Sequence, residues 1–137
     1  MPPRPPLVVV TRSGAIDART LAKDTVVVTC AAAPAARHAG AIVAGDEDVD
    51  LTAAVAALRE RGLRHLLCEG GPQLLDGLLR RSLVEELCLT TTPVLVGGAA
   101  GLLPAGLPHP LTLRLLSLVD GGDGVLLSRL VVGPPTA

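Results

Sequence analysis

Two short turns in the sequence carry groups that could bind an anion. The first, Thr11-Arg12-Ser13-Gly14, offers a guanidinium and hydroxyl groups directly after an apolar run. Such donors suit a phosphate monoester. The second, Glu69-Gly70-Gly71-Pro72, precedes a leucine-rich segment. Its glycines would let a ligand touch the backbone, and a helix starting there would direct free N–H groups toward an anion.

Each turn also has a purely structural interpretation, and the residues alone leave both open. A strand followed by Gly-Gly and a helix is often only a tight turn, and Ser and Gly are common turn residues. A carboxylate accepts hydrogen bonds and repels phosphate. A functional Glu69 would therefore face a neutral substrate group that donates hydrogen bonds.

The elements that position these turns follow from apolar runs bounded by turn residues. Strands are predicted over 7–10, 25–30, 41–45, 65–69 and 84–98, and helices near 34–38 and over 50–62 and 72–81. Asp50 is the predicted N-cap of the helix over 50–62, and Gly62 is its predicted stop. The strand over 84–98 alternates, with Leu87, Leu89 and Thr91 on one face and Glu86, Cys88 and Thr90 on the other. Residues 111–132 form a predicted hairpin whose turn spans 121–124. This order predicts an α/β fold with a mixed, mostly parallel sheet, flanking helices and a C-terminal antiparallel hairpin. Both turns then follow strands, where open α/β sheets bind ligands.

Composition narrows the function classes. The chain has 137 residues, a net charge of −1 and no Phe, Trp or Tyr, so neither a nucleic-acid nor an anionic-membrane partner is expected. No apolar run is long enough to span a bilayer, which makes a cytoplasmic location the default. The cysteines Cys30, Cys68 and Cys88 lack paired spacing, and with the histidines they form no metal-ligand pattern. The standard nucleotide-binding and serine-hydrolase motifs are absent.

One long stretch points to a known family. The segment "LLCEGGPQLLDGLLRRSLVEELCLTTTPVLVGG" resembles the C-terminal reductase domain of the riboflavin-biosynthesis deaminase/reductase, a domain similar to stand-alone pyrimidine reductases with the fold of dihydrofolate reductase. The resemblance extends upstream through "LVVVTRSG", "TVVVTC" and "AIVAG", and downstream to the final hairpin. It therefore covers nearly the whole chain.

The resemblance implies an NADPH-dependent oxidoreductase of riboflavin biosynthesis. Its substrate would be a ribosylaminopyrimidine, of the 5-amino-6-(5-phosphoribosylamino)uracil type, and Glu69 would face it. No catalytic residue is implied. The cofactor-binding residues carried over by position meet the pyrophosphate (Gly70, Gly71, Pro72), the 2′-phosphate (Thr11, Arg12, Ser13), the adenine (Ala44, Gly45) and the nicotinamide side (Gly97, Gly98).

The chain also departs from the family. Family members begin with a strand that carries a Ser-Leu-Asp-Gly-like substrate motif, followed by helices and a further strand, whereas only "MPPRPP" precedes the first strand here. We therefore expect residues 1–137 to form a single reductase-like domain that lacks those elements and keeps the adenosine-phosphate half of the cofactor site. The family and an exposed sheet edge both predict a homodimer. One alternative is a non-catalytic NADP(H)-binding or self-associating module. Another is a folate-type reductase, against which the Glu-Gly-Gly motif argues.

Overall fold

The predicted α/β class is confirmed by the structure. The computed structural model describes residues 4–16, 24–97, 101–103 and 106–135. The chain divides into two compact units, Met1–Leu67 and Cys68–Ala137. The first contains a parallel sheet and the second an antiparallel one, each of three strands. No helix within the described ranges is long and apolar enough to cross a membrane.

The first unit is built around a buried central strand. Its strands are β1 (Val8–Val10), β2 (Val26–Thr29) and β3 (Ile42–Val43), which pair in the order β1-β2-β3. A short 3-10 helix spans Pro34–Arg37 and helix α1 spans Leu51–Glu60. Val27, Val28 and Thr29 are all buried because β2 has a neighbouring strand on each side. A run of β-branched residues suits a parallel strand that is covered on both faces.

Helix α1 begins and ends at the residues that the sequence predicts. Asp50 is the N-cap, and its carboxylate accepts hydrogen bonds from the backbone N–H groups of Thr52 and Ala53 at 2.9 and 3.1 Å. Gly62 follows the helix with φ +84°, a conformation that glycine adopts without strain. Ala54 and Leu58, four residues apart on one face, are buried in the core. The cap and the stop therefore fix the helix that packs beside β3.

The described residues of the second unit form one helix and an antiparallel sheet that includes the predicted hairpin. Helix α2 spans Pro72–Arg80, and the strands are β4 (Glu86–Thr91), β5 (Leu111–Asp120) and β6 (Leu126–Pro135). They pair antiparallel in the order β4-β6-β5. Leu87 and Leu89 are half-buried whereas Glu86, Cys88 and Thr90 are exposed, so the predicted alternation of β4 is confirmed. Thr91 differs, because it is exposed.

Two strand predictions fail in this region. Residues 65–69 form no strand, and β4 stops at Thr91 although its apolar pattern continues to Gly98. A strand needs a neighbour that completes its hydrogen-bond ladder, and neither segment pairs with any described residue. Pro93 has no N–H to donate to such a ladder. Leu67 and Leu95 are accordingly 84% and 103% exposed.

An ion pair joins β4 to β6 on the exposed face of the antiparallel sheet. Arg129 donates two hydrogen bonds to the Glu86 carboxylate, at 2.6 and 2.8 Å. The bonds from Arg129 lower the pKa of Glu86 below its ordinary value of 4.5. The ionised carboxylate therefore favours the folded state. This stabilisation is complete above the unfolded pKa and is lost as the pH falls through the lower folded pKa.

We therefore expect Glu86→Gln to change the pH dependence of stability. The wild-type free energy of unfolding should decline more steeply than that of the variant as the pH is lowered through the range below 4.5. Chemical unfolding followed by far-UV circular dichroism at a series of pH values measures this difference. Glu60→Gln, an exposed carboxylate on α1, is the control. Parallel pH profiles for wild type and Glu86→Gln would contradict the assignment.

Candidate functional site

The carboxyl ends of the three parallel strands form the candidate site of the first unit. Because β1, β2 and β3 are parallel, the turns that follow them lie at the same edge of the sheet. The Thr11 N–H donates to the Val28 carbonyl at 2.9 Å, and the Ala44 N–H donates to the Thr29 carbonyl at 2.8 Å. The structure thus brings the predicted residues Thr11 to Ser13 and Ala44 to Gly45 together.

The turn after β1 presents a cation that pairs with none of the described residues. Thr11 Oγ1 accepts a hydrogen bond from the Gly14 N–H at 3.0 Å, and Ser13 Oγ accepts one from Ala15 at 3.4 Å. Both hydroxyl groups keep their own proton to donate. Arg12 is exposed, and its guanidinium has no hydrogen bond or ion pair with the part of the chain that the structure describes. Arg12 is therefore available to an anionic ligand.

The turn after β3 has a tight backbone. Gly45 has φ +89°, and its carbonyl accepts a hydrogen bond from the Ala31 N–H at 2.9 Å. Ala44 is buried in the core cluster, so Gly45 rather than the Ala44 side chain faces solvent. The exposed carboxylates of Asp46 and Glu47 follow directly. A phosphate would be repelled there, so an anion at this edge belongs on the Arg12 side.

The predicted glycine turn opens α2 in the second unit. Gly71 is the N-cap and Pro72 the first helical residue, as expected, and no side chain caps the helix. A Cβ added at Gly71 would meet nothing within 4 Å. At Gly70 it would meet Leu74 Cδ2 at 2.7 Å. The uncapped helix start beside the open backbone of Gly71 can accept an anion, whereas glycine at position 70 is explained by the packing of Leu74 against it.

The remaining predicted residues belong to the same unit, and no described contact joins them into a site. Glu69 is exposed beside the glycines. Gly97 is exposed beyond the end of β4, so it does not lie at a strand terminus. Gly98 lies outside the described residues. The roles of Glu69 and of Gly97 stay predictions.

Sequence reasoning overlooked Thr29 and Cys30, which lie at the centre of the parallel edge. Thr29 is fully buried, and its hydroxyl donates to the Thr11 carbonyl at 2.7 Å. The sequence contains a signal for this contact, since the three valines of β1 are followed by Thr11 and the three valines of β2 by Thr29. The observed register pairs the valines one to one, which places the threonines next to each other.

The other surfaces of the described residues offer fewer groups that could bind a ligand. A shallow cavity of about 210 Å³ lies on the antiparallel sheet, and Cys88, Ser117 and Arg129 contribute to its lining. It contains none of the predicted site residues. Within the described ranges, no group of three or more His, Cys, Asp or Glu side chains could hold a metal ion. The turns after β1 and β3 and the helix start at Gly71 remain the best candidates for a ligand site.

The fold is that of known pyrimidine reductase-like proteins. A pyrimidine reductase-like protein from Corynebacterium diphtheriae superimposes with a TM-score of 0.77 at 22% identity, covering 95% of this chain and 62% of that one. Acinetobacter baumannii RibD superimposes with a TM-score of 0.71 at 22% identity, covering 91% of this chain and 37% of the other. At this level of identity the likeness defines the fold.

The family follows from the sequence. The family model of the RibD C-terminal domain matches residues 2–127, and the chain belongs to that family. Two curated relatives bear the name 2,5-diamino-6-ribosylamino-4(3H)-pyrimidinone 5′-phosphate reductase. The Archaeoglobus fulgidus protein is 38% identical over 56 residues, 41% of this chain and 26% of that protein. The Aquifex aeolicus protein is 37% identical over 81 residues, 54% of this chain and 36% of that protein. The matches thus span well under half of each relative.

Proposed function

We propose that this chain is an NADPH-dependent pyrimidine reductase of riboflavin biosynthesis. The observation that carries the proposal is its membership of the RibD C-terminal domain family over residues 2–127. The proposed substrate class is a ribosylaminopyrimidine 5′-phosphate. It includes both the uracil expected from the sequence and the 2,5-diamino-pyrimidinone for which the relatives are named. These two pyrimidines differ in a ring substituent, so a direct comparison of the two is part of the test.

The donor chemistry of each unit suits a different part of NADPH. Arg12, Thr11 and Ser13 offer an exposed guanidinium and two hydroxyl protons for the 2′-phosphate. The start of α2 at Gly71 offers N–H groups and a positive helix dipole for the pyrophosphate. The cofactor supplies the hydride when bound. The chain's own residues bind and orient it, so that proximity of the reacting carbons lowers the barrier.

The remaining assignments extend this proposal. Glu69, exposed next to Gly70, would accept a hydrogen bond from a neutral N–H or hydroxyl of the pyrimidine. The single-domain organisation over 1–137, the homodimer and the cytoplasmic location stay predictions from the sequence and the family.

A non-catalytic NADP(H)-binding or self-associating module is the second candidate. The observation that favours it is the exposure of apolar side chains, of which Leu95 and Val96 are the most exposed among the described residues. Exposed apolar patches commonly mark surfaces that associate with other proteins. An NADP(H)-binding module would share the cofactor site with the enzyme and differ in turnover, whereas a self-associating module needs no cofactor site.

A titration with NADPH, followed by the fluorescence of the cofactor and with NADH as the control, is the first test. The chain has no Phe, Trp or Tyr, so a change in signal cannot arise from energy transfer from the protein. Saturable binding that prefers NADPH supports both candidates. Oxidation of NADPH on addition of a ribosylaminopyrimidine 5′-phosphate then selects the enzyme. Binding without turnover selects the NADP(H)-binding module, and no binding by the folded chain rejects the enzyme and leaves the self-associating module.

Gly71→Ala should separate cofactor binding from folding. The position has ordinary φ and open space around a Cβ, so the free energy of unfolding should change by no more than about 1 kcal/mol, the scale of a cap substitution. The added methyl group would occupy the space where a pyrophosphate approaches the backbone. We expect the Kd for NADPH to rise about tenfold, which corresponds to about 1.4 kcal/mol.

The matched control is Gly106→Ala. Gly106 also has open space around a Cβ, but no site role is assigned to it. Its affinity for NADPH should equal that of the wild type in the same fluorescence titration. Wild-type affinity in Gly71→Ala would argue that the glycine turn is only structural.

A further inference from the structure

Thr29 is a buried polar residue that contacts the turns after β1 and β3, at the carboxyl ends of the parallel strands. It is 0% exposed at the end of the central strand β2. Its hydroxyl donates to the Thr11 carbonyl at 2.7 Å, and its own carbonyl accepts the Ala44 N–H at 2.8 Å. A buried hydroxyl destabilises a protein unless it is hydrogen-bonded, so this bond constrains the turn that provides the acceptor.

Cys30, the next residue, contacts the backbone of the turns after β1 and β3. Cys30 is 1% exposed, and its Sγ lies 3.5 Å from the Glu47 carbonyl and 3.9 Å from the Arg12 carbonyl. The thiol has one proton and so donates to one of them at a time. The closer acceptor is Glu47. Thr29 therefore makes the shorter and more specific contact with the turn that contains Arg12.

The bond to Thr11 acts directly on the position of Arg12. The Thr11 carbonyl belongs to the peptide group that ends at the Arg12 nitrogen. Fixing the plane of that peptide fixes the direction in which the Arg12 side chain leaves the backbone. A small rotation at the peptide becomes a large displacement at the guanidinium, because that group lies at the end of a long side chain.

We infer that Thr29 is a positioning residue which orients the Arg12 turn for a 2′-phosphate and so sets the preference for NADPH over NADH. The inference rests on the proposed function. Thr29 is buried behind the turn and acts only through Thr11 and Arg12. Thr29 should therefore influence the part of the binding free energy that comes from the 2′-phosphate. The part that NADPH shares with NADH should stay unchanged.

Thr29→Val tests this because valine keeps the shape of the side chain and removes the donor. We expect its Kd for NADPH to rise about tenfold and its Kd for NADH to rise less than about twofold, the scale expected for one buried hydrogen bond. Thr29→Ser keeps the hydroxyl, so its preference for NADPH over NADH should equal that of the wild type. The matched control is Val27→Ala in the same buried strand, which should lower stability and leave the ratio of the two Kd values unchanged.

Amide hydrogen exchange without cofactor gives a second readout. In Thr29→Val the amide of Gly14, which donates to Thr11 Oγ1, should exchange faster than in the wild type. The amide of Ala44, whose acceptor is the unchanged Thr29 backbone carbonyl, and those inside α1 should keep their rates. Unchanged exchange would overturn the positioning role, as would a Thr29→Val variant that keeps the wild-type preference or loses both cofactors equally. A wild type that binds neither cofactor would reject the proposed function and the selectivity claim together. The exchange rates would still decide whether Thr29 orients the turn.

Discussion

Replacing Arg12 with alanine is expected to weaken NADPH binding by about 10- to 100-fold, which corresponds to the about 1.5–3 kcal/mol typical of a hydrogen bond to a charged group. NADH lacks the 2′-phosphate, so its Kd should change by less than about threefold. The physical reason is the exposed guanidinium, which has no partner among the residues that the structure describes. Titration of both cofactors against the purified variant measures the two changes.

The selectivity of the loss distinguishes a specific contact from a general effect of charge. Arg64→Ala removes an exposed cation from the same compact unit and should reduce NADPH binding little. Raising the salt concentration should weaken NADPH binding in the wild type more than in Arg12→Ala, since the variant has already lost the charge pair. Equal losses of NADPH and NADH in Arg12→Ala would remove Arg12 from the phosphate role.

The sequence predicted elements well where local signals are sufficient. Helix α1 has a capping carboxylate at Asp50 and a glycine stop at Gly62, and both act as predicted. Helix α2 begins at Gly71-Pro72 for equally local reasons. The hairpin of β5 and β6 follows from two apolar runs and the turn between them. In each case the residues that decide the structure lie within a few positions of the element.

Predictions failed where the structure depends on a distant neighbour. The segments 65–69 and 92–97 have strand-like composition, but neither has a ladder partner among the described residues. Composition cannot supply that partner. The roles of Arg12 and of Gly71 came from turn chemistry and the family resemblance. Thr29 was overlooked because its importance depends on the register between β1 and β2, which only the aligned strands reveal.

The strongest destabilisation by a single methyl group is expected from Gly45→Ala. Gly45 has φ +89°, a conformation that costs other residues about 1–2 kcal/mol. A Cβ there would also collide with the Asp48 carbonyl oxygen and lie 3.0 Å from the Asp50 nitrogen. Relieving an overpacked contact against backbone costs about 1–3 kcal/mol more. We expect Gly45→Ala to lower the free energy of unfolding by about 2–5 kcal/mol, the sum of both effects, as measured by far-UV circular dichroism in denaturant.

Gly40→Ala separates the two causes. Gly40 has a similar φ of +80°, but a Cβ there meets nothing within 4 Å. It should therefore show only the backbone cost of about 1–2 kcal/mol. The additional loss in Gly45→Ala reports the collision with the segment that leads to the Asp50 cap, so the first turn of α1 should lose amide protection there and not in Gly40→Ala. Equal destabilisation by both variants would mean that the turn after β3 is loose enough to absorb a methyl group, which the hydrogen bond from Ala31 to Gly45 argues against.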